Sequence, residues 1–180
     1  MRQIWLKPNR RAILFGLIPP VLLLGAGLSL LLFIAAEESV WARGFGWAFV
    51  AVASIPVGFL LHQLRSPRLA FQDDQLLVFL GLVAPIRVPI EIVECFFLGQ
   101  GPGYVPGNRE SETKNVVVRL AERAEEWKHF EVRPTLGHWC DGYITIRGAW
   151  CEPLTTEVME RLNHRLALIH RQQKQDDRAD

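Results

Sequence analysis

Two long apolar runs, residues 12–36 and 44–64, constrain this chain more than any other feature. The first holds no Asp, Glu, Lys, Arg or His across 25 residues. At a rise of about 1.5 Å per residue, a helix of that length exceeds a hydrocarbon core of about 30 Å. Both runs read as membrane-spanning helices joined by the short polar link 37–43. A secretory signal is the rival reading, because Arg2, Lys7, Arg10 and Arg11 resemble a basic leader. A signal's apolar core, however, is usually about 7 to 15 residues long. No small-residue cleavage motif precedes Glu37, and the second run follows at once.

Pro19, Pro20 and Pro56 fall inside the runs, where each removes a backbone donor and is expected to bend or break the helix. No ionisable residue lies mid-span to use the freed carbonyls, so such a kink shapes packing. Gly25 with Ser29, and Ser54 with Gly58, place small residues four apart and predict a tight hairpin or a dimer. Arg2, Lys7, Arg10 and Arg11 precede the first run and Arg65 and Arg68 follow the second, whereas the link carries Arg43 beside two acids. Cations stay cytoplasmic, which predicts a multi-pass protein of the inner or plasma membrane with both termini inside. Trp5, Trp41 and Trp47 lie near the run ends, as interfacial anchors do.

The rest of the chain reads as one small β-rich domain, giving expected boundaries of 1–66 for the hairpin, 67–173 for the domain and 174–180 for a disordered polar tail. A fragment 67–180 is expected to fold alone. Residues 68–71 and 76–80 form a hairpin around Asp73-Asp74, and residues 86–94 alternate with period two, Pro89 confining that piece to an edge or bulge. Residues 95–98, 116–120, 130–134 and 142–148 are further strands. Residues 156–171 are a helix capped by Thr155, with Val158, Leu162, Leu166 and Ile169 in one stripe and His164 off it.

The formal net charge of +1 gives no argument for a nucleic-acid partner. Cys95, Cys140 and Cys151 are odd in number and face a reducing compartment in this topology, so they read as free thiols. His138, Cys140 and Cys151, with His129, lack the tight pair spacing of a zinc site, and no metal or cofactor is expected. The glycines of the loop 99–114 lack the lysine or the helix start of a phosphate cradle. That loop is instead a mobile tip open to a partner through Gly101, Pro102, Tyr104 and Pro106. His138, Cys140 and Asp141, or Glu91 with Glu94, can be assembled into catalytic sets on paper, but nothing in their spacing fixes a geometry, so no catalytic residue is assigned.

Two N-terminal membrane helices, the hairpin 68–80, the alternating segment 86–94 and the terminal strand and helix from Gly142 to Arg171 together resemble the bacterial pleckstrin-homology-like membrane proteins. The resemblance implies a mainly β, barrel-like or sandwich domain capped by a C-terminal helix, used for docking or self-assembly with no activity carried over. The expectation is a membrane-anchored, non-catalytic docking or assembly module whose partners are the bilayer and a protein or second copy. The alternative is recognition of anionic lipid by Arg2, Lys7, Arg10, Arg11, Arg65 and Arg68, and an enzyme with an unrecognised hydrolase-type site is less favoured than either.

Overall fold

The computed structural model describes residues 2–34, 40–80, 84–101, 113–128 and 137–176, which fall into two compact units. One unit is the helical segment Asn9–Ser66. Helix α1, Arg10–Ser29, starts where the Asn9 side chain accepts the Ala12 N–H at 3.2 Å, satisfying one of the orphan donors of a helix start. It runs through Pro19 and Pro20 without interruption. The break expected at these prolines does not occur; α-helical winding changes only at Leu30–Ile34, which is a π-helix. Helix α2, Val40–Arg65, likewise continues through Pro56. The stretches Arg10–Leu32 and Arg43–Arg65 have mean hydropathies of 2.2 and 1.9 and are long and apolar enough to cross a membrane. Phe15, Leu22, Leu32, Trp41, Trp47 and Ile55 stand exposed along them.

The two helices meet through glycines other than those expected. A Cβ on Gly27 would lie 3.0 Å from the Gly46 carbonyl oxygen, and one on Gly46 would lie 2.8 Å from the Leu31 side chain, whereas Gly25 and Gly58 have nothing within 4 Å. Without side chains at Gly27 and Gly46 the backbones approach closely enough to pack.

Among the described residues the other unit holds eight strands and one long helix. Strands β1 (Gln3–Leu6), β2 (Leu69–Gln72), β3 (Gln75–Val78) and β4 (Ile86–Pro89) make an antiparallel sheet in that order. Asp73 and Asp74 take positive φ of 51° and 56° in the β2–β3 turn, a conformation that short polar side chains tolerate. Pro89 ends the edge strand β4, where its missing N–H costs no ladder bond. The single strand expected over 86–94 is divided by a 3-10 turn at Ile90–Ile92, which carries the chain into a second sheet. That sheet contains β5 (Val93–Gly101), β6 (Thr113–Leu120), β7 (Gly137–Cys140) and β8 (Tyr143–Ile146) in the order β5-β6-β8-β7. Among the described residues no ladder joins the two sheets, so they do not form a closed barrel. The expected strand 130–134 lies outside the described residues.

The N-terminal boundary differs from the one expected. Gln3–Leu6 precedes the first apolar helix yet pairs with β2, Leu6 lying opposite Leu69. Trp5 and Leu6 are 1% and 0% exposed in the core, so Trp5 is a core residue. Its ring stacks on Phe71 at 5.6 Å and meets Phe96 edge-on at 5.9 Å. A fragment beginning at residue 67 therefore lacks a strand and two of the largest buried side chains.

Helix α3, Thr156–Asp176, begins where Thr155 Oγ1 accepts the Val158 N–H. Val158, Met159, Leu162 and Leu166 are buried, Ile169 is partly buried and His164 is exposed, as the apolar stripe predicts. The helix extends five residues past Arg171, through Asp176, so the start of the expected tail is helical; Gln and Lys are good helix formers that prolong a helix once nucleated. α3 also caps two sheet edges. The Asn163 amide accepts the Phe96 N–H and donates to the Phe96 carbonyl, each at 2.8 Å, as a neighbouring strand would. Arg165 donates to the Ile4 carbonyl at 2.9 Å on β1.

Candidate functional site

A group of long-range polar bonds in the β unit forms a clasp around Trp150–Glu152. Asn115 on β6 accepts the Gly148 N–H at 3.1 Å and so holds the 3-10 turn Gly148–Trp150 against the sheet. The turn directs the Trp150 carbonyl to Arg68, whose Nε donates to it at 3.0 Å. Glu152 donates its N–H to the Lys7 carbonyl at 2.9 Å and accepts the Lys7 N–H on its carboxylate at 3.1 Å. Pro8 and Cys151 form an isolated antiparallel bridge beside these bonds, and Arg161 on α3 pairs with Glu152 at 2.9 Å. One short segment thus grips the chain just before α1 and just after α2.

This arrangement corrects the reading of Arg68 as a surface cation. It is fully buried, its backbone N–H donates to the Leu6 carbonyl and its own carbonyl accepts the Phe79 N–H. Burial lowers its pKa, with the nearby Cys151 opposing, but a guanidinium remains charged in a protein. The other cations expected at the surface are there: Arg2, Lys7, Arg10, Arg11 and Arg65 are exposed. The Arg2 guanidinium stacks over the Phe79 ring at 4.7 Å. Three cations of the β unit are engaged locally. Arg119 pairs with Glu94 at 2.9 Å, Lys128 with Glu125 at 3.7 Å, and Arg123 donates to the Glu91 carbonyl at 3.3 Å.

Two of the thiols, Cys151 and Cys140, are poor nucleophiles. Burial pushes the Cys151 thiol up to about 12, against the pull of Arg68, and its Sγ donates to the Arg147 carbonyl. Cys140 is exposed, but its Sγ donates to the Asp141 carboxylate at 3.4 Å, and that bond and charge raise its pKa. A raised pKa means less thiolate and slower attack. No group of three or more His, Cys, Asp or Glu able to hold a metal occurs among the described residues. Trp139 is core, its indole donating to the Trp127 carbonyl at 2.7 Å with the two rings stacked.

Of the expected partner loop, Gly101 is the last residue of β5, opposite Thr113, while Pro102, Tyr104 and Pro106 lie outside the described residues. The register defines a different surface that sequence reading missed. Cys95, Arg119, Tyr143 and Cys140 lie in one row across the second sheet and Phe97, Val117, Thr145 and His138 in the next, all on the face opposite the core. Phe97 and Tyr143 are 39% and 40% exposed and meet edge-to-face at 6.3 Å. The alternation of β8 already placed Tyr143 and Thr145 together, but the pairing with Phe97 depends on strand order. No family model matches this chain, and no curated protein and no solved structure is similar to it at a significant level.

Proposed function

We propose that this chain is a membrane-anchored, non-catalytic docking or assembly module. The observation that carries the reading is the insertion of an apolar helical hairpin between β1 and β2, two neighbouring strands of one sheet. Two helices of this length and hydropathy suit a bilayer, and a β unit connected to them at both ends is tethered twice. In the proposed topology the hairpin crosses a bacterial inner membrane and both termini are cytoplasmic. Two considerations support it. Strands that pair in one sheet occupy one side of a bilayer, and Arg2, Lys7, Arg10, Arg11 and Arg65 flank the hairpin where cytoplasmic cations are expected. The β unit is proposed to be pleckstrin-homology-like, a reading supported by two antiparallel sheets followed by a helix that caps edges of both.

The aromatic pair Phe97–Tyr143 on an exposed sheet face is the proposed contact surface, since aromatic residues are enriched where proteins meet. Protein docking is preferred over lipid recognition because Arg68 is buried and Arg119, Arg123 and Lys128 are engaged by neighbouring acids or carbonyls. A photo-crosslinking residue at Phe97 in native membranes tests this. The expected result is an adduct with one protein species or a second copy, lost on Tyr143→Asp. Adducts dominated by phospholipid would transfer the reading to the lipid alternative. A periplasmic alkaline phosphatase fused after Asp180 should be inactive, and an active fusion contradicts the topology.

A further inference from the structure

We infer that the hairpin and the β unit are mechanically coupled, so that separating the two ends of the hairpin draws β1 out of its sheet. The connections are short. Lys7 and Pro8 alone separate β1 from the helix cap Asn9, and Ser66, Pro67 and Arg68 alone separate α2 from β2. A residue spans at most about 3.6 Å when extended, and proline fixes φ, so neither link stores slack for a movement of more than a few ångströms. Both links are also gripped by the same clasp, Lys7 and Pro8 by Cys151 and Glu152, and Arg68 by Trp150.

A displacement of the helix ends must therefore be taken up in the sheet, and β1 is the strand that yields. It is four residues long, lies at an edge with one strand partner, and its register shifts between Ile4 and Leu6. By contrast β2 is paired on both sides. Release of β1 takes Trp5 and Leu6 from the core, bares Phe71 and Phe96, and removes the Ile4 carbonyl from Arg165. The coupling is reciprocal: whatever holds β1 in the sheet also favours the closed hairpin. It rests on chain connectivity and stands independently of the docking reading.

The test uses the full chain in phospholipid nanodiscs and reads hydrogen exchange segment by segment. Ala53, fully buried in α2, is replaced by Trp in one variant, and Gly27, packed on Gly46, by Leu in another. Each wedge is also made in a chain carrying a flexible Gly/Ser insertion of about twelve residues between Pro8 and Asn9, with the insertion alone as its reference. The expected result in at least one wedge is exchange roughly tenfold faster over Gln3–Leu6, with Tyr143–Ile146 unchanged and the effect reduced to within about twofold by the insertion. The coupling is overturned if neither wedge accelerates β1, if the acceleration survives the insertion, or if it spreads equally to Tyr143–Ile146.

Discussion

Removing the hairpin should leave a folded β unit only if the strand that precedes it is kept. Consider two chains, one running from residue 67 to 176, the other carrying residues 2–8 joined to that same segment by a flexible linker of about six residues. The first lacks Trp5 and Leu6, which are 1% and 0% exposed in the intact protein. Truncating a buried Trp costs about 3–5 kcal/mol and a buried Leu about 2–5 kcal/mol. Their combined loss of roughly 5–10 kcal/mol is comparable with the whole stability of an ordinary domain, about 5–15 kcal/mol. Loss of the Arg165 bond to Ile4 and the Lys7 bonds to Glu152 adds to it. The linked chain should give a β-rich circular dichroism spectrum and a cooperative melt, and the shorter chain no cooperative transition. Equal melting temperatures for the two would refute the assignment of β1 to this core.

Four further outcomes are expected. Asn163→Ala leaves the Phe96 N–H and carbonyl without their α3 partner and should destabilise the linked β unit by about 1–3 kcal/mol in urea; an unchanged midpoint would remove the edge-capping role. Gly148→Ala sets a Cβ against the Lys114 carbonyl and 2.9 Å from Leu154, and should lower stability by about 1–3 kcal/mol by thermal melting. At pH 8 iodoacetamide should spare Cys151 and label Cys140 slowly, and Asp141→Asn should speed labelling of Cys140 several-fold, because loss of the carboxylate lets thiolate form at lower pH. The Cys151 pKa is raised from 9.0 to about 12, so its contribution is intact below pH 9 and lost as pH rises toward 12, at up to about 1.4 kcal/mol per unit; Cys151→Val should flatten that slope.

Much of the architecture was legible from the chain alone, wherever a feature repeats at short range. Apolar length announced the two helices, since a bilayer-length run needs no partner to be recognised. The turn at Asp73-Asp74, the strand ending at Ile146, the Thr155 cap and the stripe Val158, Leu162 and Leu166 are all properties of neighbouring residues. Pro19 and Pro20 misled as helix breakers because α1 continues through them and departs from α-helical winding only at Leu30–Ile34.

What the sequence by itself determined is therefore the set of elements: two apolar helices, a run of short strands and a terminal amphipathic helix. Tertiary structure decided which residues belong together. Gln3–Leu6 is too short to carry a period, and its place beside β2 depends on pairing across the whole hairpin. Arg68 reads as a juxtamembrane cation until the Trp150 carbonyl, 82 positions away, is seen to accept a hydrogen bond from its Nε–H. Phe97 and Tyr143 become one surface only through the order β5-β6-β8. The physical reason is common to all three. Local pattern reports burial and propensity, whereas partners are chosen by the competition of distant segments for one core and for each other's hydrogen bonds.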